Sequence, residues 1–369
     1  MADLGRGRPS PPRASIVDVA RQAGVSVATV SRALRGMANV SAETRQRVLE
    51  AAAELSYTAS PLASGLVTGR TRSVGVVAPY SGRWFFAEVT HGIEQALREH
   101  GYDLVLHVLA DPVRRERFFT ELPLRRRVDA VAVVALPLEP AELEVLTGLG
   151  VPLASVGEPL EGMHGERIDN VGAARLAVQH LVNLGHRRIA MIGGDPDGPE
   201  HFRVPRLRTQ GYTEALHGAG LTSLPDWQLD GRYTARGGEL AMTSLLSQRG
   251  GRPTAVFCQS DEMAFGALKA LRRSGLRCPD DVSIVGMDDH ELAETFDVST
   301  VAQPVASQGA QAARWLIDQL DRPQDRVDDD QADQPPEPGL AGDGGSSDVC
   351  WHPVRLVLRG STGPCSSPG

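Results

Sequence analysis

Two hydrophobic rhythms divide the chain. Between residues 15 and 57 apolar positions recur at helical spacing in three short runs, the third through Val48, Ala52 and Leu55. From Ser73 onward, "SVGVVAP", "YDLVLHVL", "VDAVAVVAL", "VPLASVG", "RIAMIGG", "TAVFCQS" and "VSIVGMD" are apolar runs of strand length. Most are followed by segments patterned as helices, such as "FFAEVTHGIEQALREHG" and "EMAFGALKALRRSG". This alternation predicts an all-α head followed by α/β architecture with doubly wound parallel sheets, and the number of runs fits two subdomains.

The three head helices have start and stop signals. Ser15 caps the first, with Asp18 in the capping-box position, and Gly24 ends it; Ser26 caps the second and Ser41 the third, which should end near Tyr57. In a helix starting near Ser26, positions 27, 28, 31, 32 and 35 share one face, while Val30, Ala33 and Leu34 turn to the other. Gly24 permits a tight reversal and small Ala20 and Ala23 permit close approach, so the pair predicts a helix-turn-helix. Its second helix can then lie in a DNA major groove, with Val27 and Ala28 near the leading end.

Charge distribution supports a local nucleic-acid contact. The 369-residue chain carries a net charge of −8, yet residues 1–70 hold nine Arg against five acidic residues, a net of +4 that leaves −12 for the rest. Residues 1–14 read as a disordered basic arm, and residues 322–348, with eight acidic residues, two Arg and many Pro and Gly, as an acidic disordered insertion. Strand character returns after it in "HPVRLVLRGST".

Several function classes are disfavoured. Cys258, Cys278, Cys350 and Cys365 are widely spaced without a CxxC pair, so neither a zinc site nor a disulfide framework is indicated, and no cofactor is expected. Lys269 is the only lysine and stands in no Walker-type loop; "GGDPDG" is not a dinucleotide fingerprint; GxSxG is absent. "HELAE" at 290–294 has Glu294 where a zinc protease motif needs its second His, and His107, His180 and His186 are isolated. An enzyme is therefore not expected. With no signal-peptide core and no apolar stretch of membrane-spanning length, a cytoplasmic, nucleoid-associated protein is expected.

The head resembles the lactose/purine repressor family of bacterial transcription regulators, whose pattern is matched here by Asp18, Val19, Ala20, Ala23, Gly24, Val25, Ser26, Thr29, Val30, Ser31 and Arg32, and further by "VSAETRQRV" at 40–48. The resemblance spans about residues 15–320 and resumes at 354–362. It implies a helix-turn-helix head followed by two periplasmic-binding-protein-like lobes. Base reading falls to Val27, Ala28 and Arg32, and phosphate contacts to Ser15, Ser26, Ser31, Asn39 and Thr44. Chemically, Arg32 can place two donors on a guanine, and Val27 and Ala28 offer apolar contact to a thymine methyl.

The resemblance also implies a hinge in "SPLASGLVTGRT", with Ser60 as cap, Pro61 at the first helical position and Leu66 wedged into the minor groove; a plain Gly/Ser linker is the competing reading of this stretch. Ser60 and Ser64 depart from the family's usual Asn and Arg. Effector contacts are implied at Trp84, Phe85, Arg208, Ser260, Asp261, Asp288 and Gln303. Ser260 stands where Asn is common, and Gly157-Glu158 where Asp-Arg is common.

The expected organisation is an arm (1–14), a DNA-binding domain (15–58), a hinge (59–72), a two-lobed effector-binding and dimerisation domain (73–362) and a tail (363–369). The expected function is a homodimeric regulator, a repressor, that binds a pseudo-palindromic operator and responds to a small polar metabolite such as a sugar. A transport solute-binding protein would need a signal peptide and no DNA-reading head. A ligand-independent architectural DNA binder would have an empty or collapsed cleft.

Overall fold

The computed structural model describes residues 14–34, 37, 39–55, 57, 70–109, 111–198, 202–248, 251–322 and 349–365. The basic arm before Ala14, the hinge residues Ser60, Pro61, Ser64, Gly65 and Leu66, the acidic insertion after Arg322 and the last four residues lie outside these. The chain forms two compact units, Met1–Thr71 and Arg72–Gly369.

In the first unit, α1 (Ile16–Ala23), α2 (Val27–Leu34) and α3 (Ala42–Glu54) close over a small core of Val19, Ala20, Ala23, Val30, Ala33, Val40, Val48, Ala51 and Ala52. Short side chains let three brief helices approach closely enough to bury one another, which none could do alone. The predicted caps are present. Ser15 and Asp18 form a reciprocal capping box, and the Ser41 side chain accepts from the Thr44 amide. Gly24 ends α1 in the left-handed region at φ 65°, where a side chain would be strained. Helix α3 ends at Glu54 with Leu55 as its C-cap, three residues before Tyr57, where the sequence placed its end, and Tyr57 N–H closes back onto the Ala52 carbonyl at 2.8 Å.

Among its described residues, the second unit holds two six-stranded sheets. One contains β1 (Ser73–Ala78), β2 (Asp103–Val108), β3 (Ala130–Val134), β4 (Leu153–Val156), β5 (His164–Ile168) and β11 (Val349–His352), in the order β11-β5-β4-β3-β1-β2. The other contains β6 (Ile189–Gly193), β7 (Gln228–Asp230), β8 (Ala255–Cys258), β9 (Ser283–Asp288), β10 (Ser299–Ala302) and β12 (Arg355–Val357), in the order β12-β10-β9-β8-β6-β7. Pairing is parallel except for β12, which runs antiparallel to β10. The strands β5, β7, β10 and β11 escaped the apolar-run criterion because they are short or carry polar residues: "HGERI", "QLD", "STVA" and "VCWH". Strand structure after the acidic segment thus resumes at Val349, earlier than the sequence pattern suggested.

The chain crosses between lobes more than once. Helix α7 (Asn170–Asn183) follows β5 but buries Ala173, Ala177 and Leu181 with Ile189 and Phe257 of the second lobe. Helix α12 (Val305–Asp321) follows β10 yet packs Ala312, Leu316 and Ile317 against Val74 and Ala154 of the first. There it meets α4 (Trp84–Glu99) so tightly that a Cβ at Gly92 would lie 1.9 Å from the Ala306 carbonyl oxygen. Such crossovers place the carboxyl ends of strands from both sheets beside one cleft.

Candidate functional site

The head presents a capped helix with a plain outer face. Val27, Ala28 and Arg32 of α2 are exposed, Val27 by 41%, while Val30 and Ala33 are buried. The Thr29 amide donates to Ser26 Oγ at 3.2 Å, and Ser26 Oγ and Thr29 Oγ1 are 2.9 Å apart. Ser15 Oγ donates to Asp18 at 2.6 Å and Ser41 Oγ to Thr44 Oγ1 at 2.9 Å. Of the five expected phosphate-contact residues, Ser15, Ser26 and Asn39 are exposed and Ser31 and Thr44 half-buried. The hydroxyls of Ser15, Ser26 and Thr44 therefore shape helix N-termini, whose free amides favour an anion. The sequence reading missed Arg45, which donates to the Met37 carbonyl at 2.7 Å and holds the segment after α2.

The body contains a cleft with a cavity volume of about 110 Å³, lined among others by Tyr80, Phe85, Glu158, Arg208, Ser260, Asp288 and Gln303. Five of the seven expected effector residues, Phe85, Arg208, Ser260, Asp288 and Gln303, meet there. Trp84 and Asp261 do not line it. Trp84 stacks on His290, centroids 5.0 Å apart, and pairs with the Glu291 carboxylate, while buried Asp261 accepts from the His290 amide at 2.9 Å. Half-buried Trp84, the first residue of α4, packs beside the core and on His290, whereas Phe85 and Phe86, one and two positions on, face the cleft and the core.

Polar groups in the cleft are held in advance. Arg208 is 5% exposed. Its Nε donates to Asn170 Oδ1 at 2.9 Å, a terminal nitrogen donates to the Gln259 carbonyl, and another stands 3.7 Å from Asp288. Gln303 donates to Asp288 at 2.7 Å, and Gln308 to Gln303 at 3.1 Å. Asp288 ends β9 at φ 116°, a costly backbone conformation for a residue with a side chain. Burial pushes its carboxyl up to about 6, against the pull of Arg208 and Gln303.

Glu158, in sequence a departure from the family pattern, lines the cleft. It is 2% exposed, its Oε2 has no hydrogen-bond partner among the described residues, and burial pushes its carboxyl up to about 7 despite Arg203 and Arg167. Glu262 is raised by burial and by Asp288. Tyr80, Phe85, Phe86, Phe202 and Tyr233 supply aromatic walls, with Arg83 3.8 Å above the Tyr80 ring. The arrangement can sandwich a flat or faceted molecule and offer it carboxyl, guanidinium and amide groups. A usable sequence signal existed for the missed residues: Tyr80, Glu158 and Asn170 follow β1, β4 and β5, at the carboxyl ends where clefts of parallel sheets lie.

Among the described residues, no helix is long and apolar enough to cross a membrane. Residues 15–60 match the lacI family of bacterial regulatory proteins, and residues 178–338 a periplasmic binding protein-like domain. The HTH-type transcriptional repressor CytR of Escherichia coli K12 is 36% identical over 311 residues, 83% of this chain and 90% of that protein. A solved complex of the transcriptional regulator CelR with cellobiose is 32% identical, covers 95% of this chain and 100% of its own, and has a TM-score of 0.65. The lac repressor dimer bound to operator and the anti-inducer ONPF is 26% identical, covers 95% and 99%, and has a TM-score of 0.77. With a capped helix-turn-helix, two parallel-sheet lobes around an aromatic-walled cleft, and this identity across nearly the whole of a curated repressor, the chain belongs to the lacI family of bacterial regulatory proteins.

Proposed function

We propose that the protein is a transcriptional repressor, not an enzyme, that grips a pseudo-palindromic operator as a homodimer and releases or tightens that grip when a small polar metabolite enters the cleft. The carrying observation is the exposed face of α2: Val27, Ala28 and Arg32 project from a helix whose N-terminus is capped and whose opposite face is buried. Arg32 reads a guanine bidentately, and Val27 and Ala28 contact a thymine methyl. Ser15, Ser26, Ser31, Asn39 and Thr44 fix register on phosphate. In this reading residues 15–58 form the reader, 59–72 a hinge that brings Leu66 to the minor groove, and 73–362 the sensor and dimerisation part. Two identical heads require a two-fold site.

The cleft takes a sugar or a similar polyhydroxylated metabolite, a class supported by the named ligand of the CelR complex and by the aromatic walls with Arg208, Asp288 and Gln303. Phe85, Ser260 and Glu158 complete the contacts; Trp84 and Asp261 act behind them through His290. The pre-formed cleft favours this over an architectural DNA binder, and the head disfavours a transport protein.

Selection of bound sequences from a random duplex library at fixed salt tests the reading. The wild type should enrich a two-fold-symmetric site. Arg32→Ala should relax preference at one position per half-site, a loss of about 1–3 kcal/mol of discrimination, with other positions unchanged. No enrichment, with or without a panel of sugars, would sink the proposal.

A further inference from the structure

Away from the cleft, four chemistry-bearing side chains converge where β11 joins the first sheet. β5 and β11 pair in parallel with Cys350 opposite Glu166 and His352 opposite Ile168. Because strand side chains alternate, His164 and Glu166 of β5 and Cys350 and His352 of β11 share one face. That face is covered by α12: Trp315 stacks on His164 at 4.5 Å between centroids, and Cys350 Sγ is 3.6 Å from Gln311. Glu166 is 2% exposed and accepts from both imidazoles, His164 Nε2 at 2.7 Å and His352 Nε2 at 2.6 Å. One donor atom each from Glu166, Cys350 and His352 lies within 4.8 Å of the other two.

From this geometry we infer that Glu166, Cys350 and His352 form a binding site for a zinc-class divalent cation. One thiolate, one imidazole and one carboxylate are the donor set that suits zinc, and three such donors leave a fourth position for water. His164 is a positioning residue: its hydrogen bond to Oε1 aims the carboxylate so that Oε2 faces the ion. Binding releases the Cys350 thiol proton to solvent, while His352 coordinates through Nε2 as a neutral imidazole with its one proton on Nδ1. Half-buried Cys350 gives the ion a way in. Bound there, the ion ties the sheet's edge strand, β11, to a strand 184 positions earlier in chain register. Cysteine spacing could not reveal the site, because its ligands come from two distant strands.

The test uses the full chain, stripped with a chelator and titrated with cobalt(II) as the probe. A thiolate-to-cobalt charge-transfer absorption should grow, saturate at one ion per chain and vanish when zinc is added. Cys350→Ser should abolish it while Cys278→Ser and Cys365→Ser retain it. His164→Gln should weaken cobalt affinity about 10- to 100-fold without removing the thiolate band. Zinc should also raise the wild-type unfolding temperature, since it binds the native pairing and not the separated strands. Absence of the band in the wild type, or its persistence in Cys350→Ser, overturns the site and leaves a carboxylate clamped by two imidazoles.

Discussion

Helix α2 of the head and the cleft of the body place their candidate functional groups in opposite environments. On α2, Val27, Ala28 and Arg32 stand in solvent, and the fold only has to hold the helix behind them. In the cleft, Glu158, Arg208, Asp288 and Gln303 are buried, so each polar group must be matched to a neighbour or kept neutral. The head's chemistry is thus cheap to present and weakly coupled to stability. The cleft stores free energy in buried charge that a ligand can redistribute, which suits a sensor.

The largest effect expected from this contrast is at Arg208. Arg208→Ala leaves Asp288 buried without its cation and removes the donor to Asn170, so the body should lose about 3–5 kcal/mol in urea unfolding. Its metabolite response should disappear while the sequence preference of bound DNA is kept. An unchanged unfolding midpoint would show that the buried network is not what separates the two regions.

A smaller effect should appear with pH. Glu158 has its folded value raised from 4.5 to about 7 and Asp288 from 3.8 to about 6. In that interval the folded chain holds more protons than the unfolded one, so stability falls as pH rises from about 4 towards 7 and then levels. Each group contributes at most about 1.4 kcal/mol per pH unit. Glu158→Gln should flatten the upper part of that slope in denaturant titrations run at successive pH values. Equal slopes for mutant and wild type would remove Glu158 from the account.

The smallest effect belongs to the head. Ser15→Ala deletes the capping box and should lower the local stability of α1 by about 1 kcal/mol. Hydrogen exchange should quicken at the amides of Ile16–Ala23 and leave the strands around the cleft at their wild-type rates. Faster exchange in β9 or β10 would mean that the two regions are not energetically separate.

Different amounts of each region were legible beforehand. The caps at Ser15, Ser26 and Ser41, the left-handed Gly24 and the buried Val30 and Ala33 all follow from residues at most a few positions apart. In the cleft, Phe85, Arg208, Ser260, Asp288 and Gln303 were named through family resemblance, but Trp84 and Asp261 face elsewhere. A helix phase shift of one residue separates Trp84 from Phe85, and no local pattern says which of the two turns inward. Glu158, a departure from the family pattern in sequence, lines the cleft because β4 ends just before it.

The sequence by itself determined the helix-turn-helix, the outward face of α2, the alternation of strand and helix and hence the parallel sheets, because each depends on periodicity and short-range hydrogen bonding. Only the tertiary structure decided that β5 and β11 are strands, that α7 and α12 cross between lobes, and which side chains meet. Those outcomes rest on pairings between residues far apart in the chain, such as Glu166 with His352 and Arg208 with Asp288, whose proximity is set by sheet order and register rather than by any property of the neighbouring sequence.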